Sequence, residues 1–466
     1  MPIRHLRSAA IQTEIKALWR LAWPVLIGQL ATVGLGVTDV AMAGHASAED
    51  LAGVSLGVSI WHLLMITLTG ALLSVNPVVS QLYGAQALGR IPHVVRQAMW
   101  KALGLGVLAM LAANVATVVF DHMQLEPAVR TLAINFVRIT STAFPAFCLY
   151  RVLYGYSTSI NQTKPMMVIA VLALLISIVL NSLLVFGLFG LPRLGGQGCA
   201  WATVACVWFD LGAILWWVRR APAYRSTQPL RQWEWPEWRE IRGLLKLGLP
   251  IGVTFFAESS AFSLVALLVA GFGATVVAAH QVALSFTSLV FMLPMSLGVA
   301  LLTRVGQALG AQDAHAARMR AWVGVGMALA LSAGAALGIA LFNTVIANAY
   351  TSDAGVAALA AHLLLFAAVF QLSDGTQVAV ASAVRAYKVT RLPMFIHMFS
   401  FWGICLPLGC VLGLAPEWLP WKPAVPMAAQ GFWTALVVGL TVAAVSLWLL
   451  LGRVSRQRLL AAAGPR

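Results

Sequence analysis

Four carboxylates stand inside long apolar runs of this chain: Asp39, Asp210, Glu258 and Asp374, out of 15 acids in 466 residues. An acid at the centre of a membrane-spanning helix costs roughly 2.5–3.5 kcal/mol even on insertion scales, so such residues are candidates for handling ions or substrates. A helix rises about 1.5 Å per residue, so the distance from the last flanking cation measures depth. Glu258, in FFAESSAF (255–262), lies twelve residues from Lys246, about 18 Å. Asp374 lies eleven residues from Arg385, about 16 Å, and so reaches the same depth near mid-bilayer. Asp39 is nineteen residues beyond Arg20, about 28 Å, in the outer half; Asp210 is nine from Arg219, about 13 Å, in the inner half. Two carboxylates at one depth in a low-dielectric interior cannot both carry a charge cheaply. The pair Glu258 and Asp374 therefore calls for a proton or a cation between them. Oxygen ligands suit a hard cation such as Na+, and Thr254, Ser259, Ser260, Ser263 and Ser373 are near enough in sequence to add hydroxyls. Asp210 has no partner by depth and is expected to be satisfied locally.

Other polar and aromatic residues in the runs are candidates to line a cavity. Gln29, Asn181, His280 and Gln281 are polar, although lone polar residues in spans also serve as hydrogen-bonding glue between helices. Trp61, Phe286, Phe291, Phe370 and Trp402 offer faces for a flat organic cation. His397 is expected to be satisfied in the core. No phosphate-binding glycine loop, metalloprotease helix or nucleophile elbow is present. ATP-driven transport and enzymatic catalysis are not expected, and energy must come from an ion gradient. The five cysteines form no CxxC, which indicates neither a disulfide framework nor a structural metal.

The elements that must position these residues are membrane helices. The chain is 60% hydrophobic and 10% charged, with a mean hydropathy of +0.86, against about 25% charged in a soluble domain. Apolar runs of this length suit helices rather than the shorter strands of a barrel. Twelve spans are predicted, at about 18–42, 51–77, 94–119, 129–150, 163–189, 196–219, 241–270, 276–303, 319–345, 354–381, 392–415 and 428–452. The net charge of +15 does not point to nucleic acid, because the cations lie in short loops between spans. With the N-terminus inside, 26 of the 30 Lys and Arg fall on the cytoplasmic side, from Arg4 and Arg7 to Arg466; Arg130, Arg138, Arg193 and Lys422 are the remainder. Both termini are therefore expected in the cytoplasm. No removable signal peptide is expected at the basic N-terminus.

The chain repeats. WRLAWPVLIGQ (19–29) resembles LKLGLPIGVTF (245–255), and QLYGAQ (81–86) resembles QALGAQ (307–312), both at an offset of 226. TKPMM (163–167) resembles RLPMF (391–395) at 228. This predicts two six-helix lobes, 1–219 and 241–466, joined by a loop at 220–240, in parallel duplication, a plan typical of secondary transporters. The loop carries Trp233, Trp235 and Trp238 among charges and reads as an interfacial linker at the inner membrane surface. At these offsets Glu258 faces Thr32, Asp374 faces Ala146 and Asp39 faces Val265. Equivalent scaffolds thus carry non-equivalent chemistry.

Several stretches resemble the MATE (multidrug and toxic compound extrusion) transporters, specifically the bacterial NorM-like branch: GLGVTDVAMAG (34–44), NPVVSQLYGA (76–85), FFAESSAF, QALGAQ, QLSDGTQ (371–377), YKVTRLPMF (387–395) and QGFWTAL (430–436). The resemblance covers about 15–452. It implies two six-helix bundles in a V around a central cavity, in the bacterial inner membrane, exchanging Na+ or H+ for organic cations such as drugs and dyes. Asp39 matches the acid of the first helix, linked to proton or drug coupling, and Glu258 and Asp374 match the acids of the cation site. Some members carry a tyrosine one turn before the tenth-helix acid; here that position is Phe370, with no hydroxyl to offer Na+. Asp353 matches an acidic loop position that approaches drugs in some relatives. Since one chain holds both lobes, it is expected to act as a monomer in the lipid bilayer. The alternative is a flippase for lipid-linked precursors, a related helix-bundle class with cationic cavities. The expectation that every charge within the spans is acidic argues against it.

Overall fold

The computed structural model describes residues 2–187, 190, 192–415, 423 and 425–462, with side chains from residue 9 onward. Lys422 and Arg466 lie outside the described residues, as do the side chains of Arg4 and Arg7. The described chain is helical and contains no strand. In order it runs α1 Pro2–Ala46, α2 Ala48–Leu72, α3 Val75–Gly84, α4 Ile91–Ala116, α5 Pro127–Ser141, α6 Phe144–Ser159, α7 Lys164–Phe186 and α8 Gly196–Arg220. Then follow α9 Trp238–Val269, α10 Ala274–Gly310, α11 Ala314–Tyr350, α12 Ala354–Ala386, α13 Arg391–Met398, α14 Leu406–Leu414 and α15 Ala428–Ala462. A wider π-helical stretch, Phe399–Cys405, joins α13 to α14.

Among the described residues, eleven helical spans are long and apolar enough to cross a membrane, and twelve when the bent pair α5–α6 counts as one. That pair is the expected span at 129–150, broken by 46°. Pro145, at the start of α6, has no N–H to give the preceding turn and its ring clashes there. The hydroxyls of Ser141 and Thr142 take up the carbonyls of Arg138 and Ile139 at the break, each at 2.7 Å.

The chain forms two compact units, residues 24–252 and residues 1–23 with 253–466. The cuts fall beside Pro24 and Pro250, the repeat-related prolines inside α1 and α9. The expected lobes divide the chain differently, and packing explains why. Leu18, Leu21 and Ala22 of α1 share a core with Leu301, Val305, Ala321 and Val384. Leu244 of α9 shares one with Val75, Val79 and Ile91.

Within unit 24–252, α2 and α3 are separated at Leu73–Ser74. Its repeat counterpart α10 is continuous through Pro294. Lys101 of α4 holds the break. Its ammonium donates to the Ala71 carbonyl at 3.2 Å and the Ser74 hydroxyl at 2.7 Å. The other unit is built on α12, which is buried along most of its length and packs against α10, α11 and α15. Gly375 is one reason neighbouring helices can approach so closely: a Cβ there would lie 1.9 Å from Ser332 Oγ on α11.

Candidate functional site

Three helices of the second unit bring the C-terminal acids together. α9 supplies Glu258, α12 supplies Asp374 and Gln377, and α13 supplies His397. Asp374, Gln377 and His397 are buried, while Glu258 is partly exposed. The Gln377 amide Nε2 donates to Glu258 Oε1 at 3.3 Å and to Asp374 Oδ1 at 3.5 Å, so one side chain touches both acids. On its other side Gln377 Oε1 meets His397 Nε2 at 2.6 Å, and His397 Nδ1 donates to the Pro393 carbonyl at 2.7 Å. This arrangement needs a proton on both ring nitrogens of His397; otherwise the Gln377 amide turns over and presents its oxygen to the acids. The proton count of the cluster and the orientation of one amide are therefore linked.

The depth pairing of Glu258 with Asp374 thus corresponds to a shared hydrogen-bond partner. The expected hydroxyl ligands fare differently. Ser373 bonds Thr441 of α15 at 2.8 Å, and Ser260 donates to the Ala257 carbonyl at 3.2 Å, so both are engaged away from the acids. Phe370 is buried in an aromatic cluster, edge-on to Trp433 and Phe262 at centroid distances of 5.8 and 6.0 Å. It packs as core. Among the described residues no three His, Cys, Asp or Glu side chains group as for a metal ion. Two carboxylates, joined by the Gln377 amide oxygen when that amide turns over, form an oxygen donor set suited to Na+ or a proton rather than to a transition metal.

Asp39 has its own setting in the other unit. It is buried on α1, accepting from Asn181 Nδ2 at 2.7 Å and from the Thr203 hydroxyl at 2.8 Å. Asn181 also donates to Ser177 Oγ at 3.1 Å. Asn181 is therefore the partner of an acid, and Thr203 joins it from α8. Asp210 Oδ1 is buried and takes no hydrogen bond among the described residues; the local satisfaction expected for it does not form.

The remaining candidates disperse. His280 is buried, and its Nδ1 accepts from Trp433 Nε1 at 3.1 Å, a core polar pair. Phe286 is half-buried and packs against the core around Phe370. Gln281 is exposed, lining with Ser285, Tyr350 and Thr351 a cleft of about 320 Å³. Asp353 caps α12, its Oδ1 accepting from the Val356 N–H at 2.9 Å. Gln29 is half-buried on α1.

Sequence reasoning missed Gln377, Thr203 and two buried cations. Gln377 follows Asp374 by three residues and so shares its helix face, which was a usable signal. Lys101 and Arg385 are 3% and 7% exposed. The expectation that every charge within the spans is acidic is therefore corrected. A long cationic side chain near a helix end can turn outward or inward, and spacing alone does not say which.

A family model described as MatE matches residues 24–183 and 250–411. The chain is 42% identical to the multidrug resistance protein PmpM of Pseudomonas aeruginosa, over 97% of this chain and 94% of that protein. It is 41% identical to the probable multidrug resistance protein NorM of Chromobacterium violaceum, over 98% of this chain and 97% of that protein. Among solved structures, the fold superposes on a crystal structure described as MATE in the bent conformation. The TM-score is 0.86, at 18% identity over 98% of this chain and 99% of the other.

Proposed function

Because the chain belongs to the MATE family, we propose that it is a secondary antiporter exporting lipophilic organic cations, drugs and dyes among them, in exchange for Na+ or H+ by alternating access. Gln377 bridging Glu258 and Asp374 is the observation that carries this reading. A bridged pair of acids at mid-depth has one economical use, to take up and release a small cation. Its repeat counterparts Thr32 and Ala146 offer no such pair. Glu258 and Asp374 are assigned to the coupling ion. Asp39, held by Asn181 and Thr203, is assigned a second charge, a proton whose arrival neutralises the carboxylate that attracts the organic cation. In this scheme the protein lies in the bacterial inner membrane with both termini cytoplasmic and works as a monomer without ATP. The buried cations Lys101 and Arg385 remove charge sign as an argument against a lipid-linked precursor flippase; the bridged acids favour ion coupling, and the Asp39 carboxylate favours a cationic cargo.

The test is accumulation of a dye cation in cells expressing Glu258→Gln or Asp374→Asn at wild-type membrane levels. Each variant should retain at least tenfold more dye than wild type. Export at the wild-type rate in both would sink the assignment.

A further inference from the structure

Arg385 lies next to the last residue of α12, yet its side chain does not turn outward as a long cation at a helix end ordinarily can. It is buried, with its guanidinium 5.1 Å from the centroid of the Phe255 ring. Side chains on a helix lean toward its N-terminus, which for α12 is the direction of Asp374. Arg385 follows Asp374 by eleven residues, three helical turns, so the two share a face. Phe255 precedes Glu258 by three residues, one turn, on α9. The two helices therefore meet twice along one seam, through Gln377 on Glu258 and through Arg385 on Phe255. Glu258 is the carboxylate in electrostatic reach of Arg385. Arg385 forms no ion pair among the described residues. A guanidinium stacked on an aromatic face is attracted there without being neutralised.

We propose that Arg385 is a positioning residue, the resident counter-cation of the Glu258–Asp374 site. It balances the carboxylates when the coupling ion leaves and so keeps the site's affinity for that ion low enough for release. The inference rests on the reading of Glu258 and Asp374 as the coupling-ion site. With His397 neutral and the Gln377 amide turned over, both acids ionised and one monovalent cation bound, the two negative charges meet two positive ones, and the occupied site is neutral. After release a single negative charge remains. Without Arg385, release would leave two uncompensated charges in a low-dielectric interior, which is far costlier. Phe255 keeps the guanidinium off the carboxylate, since a permanent ion pair would close the site to the ion.

Full-length protein in proteoliposomes, loaded with ethidium, supplies the test. The measurement is the half-saturating concentration of the ion that drives ethidium exchange, Na+ titrated at fixed pH and H+ at fixed Na+, together with the maximal rate. Arg385→Met should lower the half-saturating concentration at least tenfold and lower the maximal rate, because the ion is held too tightly. Arg385→Lys should stay within about threefold of wild type on both. Phe255→Leu, which frees the guanidinium to swing onto Glu258, should raise the half-saturating concentration at least threefold. A maximal rate that falls with half-saturation unchanged in Arg385→Met would mean a structural role and overturn the proposal; should that variant fail to insert, unchanged half-saturation in Phe255→Leu does so. Wild-type ion dependence in Glu258→Gln would instead remove the site reading itself, and the two failures are told apart by that control.

Discussion

Gln377 is the residue on which the C-terminal cluster turns, because its single amide spans two acids and a histidine. Hydrogen bonds to charged groups are worth about 1.5–3 kcal/mol, and a buried donor or acceptor left unmatched costs comparably. Gln377→Leu should therefore slow ethidium efflux from proteoliposomes by roughly 10- to 100-fold while the protein still inserts. Ser373→Ala, one residue from Asp374 but turned toward Thr441, should leave the rate within about twofold, as expected for a change worth only a few tenths of a kcal/mol. Equal loss in both would mean that α12 is merely intolerant of substitution there. The contrast shows where sequence reading stops. Depth along a helix is a one-dimensional count, so the pairing of Glu258 with Asp374 was legible. Which way Ser373, Gln377 and Arg385 face depends on the rotation of α12 among its neighbours, which no count along the chain supplies.

At the scale of elements, the long helices were legible from apolar length, and the break in the fourth span was prefigured by Pro145. The close approach of α9 to the end of α2 was not. A Cβ at Gly248 would stand 2.0 Å from the Ala71 carbonyl oxygen, the same atom that Lys101 bonds. Backbone cannot step aside as a side-chain tip can. Gly248→Ala should cost about 1–3 kcal/mol, in the range of overpacking elsewhere, read as a lower thermal midpoint of the purified protein in detergent. Gly243→Ala, on the same helix with nothing within 4 Å, should be neutral or slightly stabilising. The loop before α9 also departs from its reading as a plain interfacial linker. Glu234 pairs with Arg96 and bonds His93 at 2.7 Å, Trp100 Nε1 donates to the Glu234 carbonyl at 2.9 Å, and Gln97 bonds the backbone of Trp235 and Glu237. The loop is pinned, with Trp233, Trp235 and Trp238 left exposed. The hydrogen bond from Arg96 holds the Glu234 carboxyl below its ordinary value of 4.5. A lowered folded value means that the ion pair's contribution is fully present above the ordinary glutamate range and is lost as pH falls below it. Hydrogen exchange of residues 228–237, corrected for intrinsic rates, should stay protected from neutral pH down to that range and rise below it. Glu234→Gln should expose the segment at neutral pH as well.

For the whole molecule the informative fact is that the acids assigned to coupling fall in two separate units, Glu258 and Asp374 in one and Asp39 in the other. If each unit takes up one coupling cation per cycle while one monovalent organic cation leaves, one net positive charge enters. A charge crossing 100 mV releases about 2.3 kcal/mol, enough for a roughly 50-fold concentration ratio. Wild-type proteoliposomes should then hold an ethidium gradient that grows about tenfold for each 60 mV of imposed potential, at fixed Na+ and pH gradients. Asp39→Asn keeps the hydrogen-bonding shape beside Asn181 and Thr203 but removes the second charge. The exchange should become one for one, and its ethidium gradient should no longer respond to potential while still responding to the ion gradient. The repeat supports this separation. A duplicated scaffold that kept a bridged pair on one side and Asp39 on the other can divide coupling between them. A variant that stayed voltage-sensitive without Asp39 would place both coupling charges at Glu258 and Asp374 and leave the N-terminal acid to the organic cation alone.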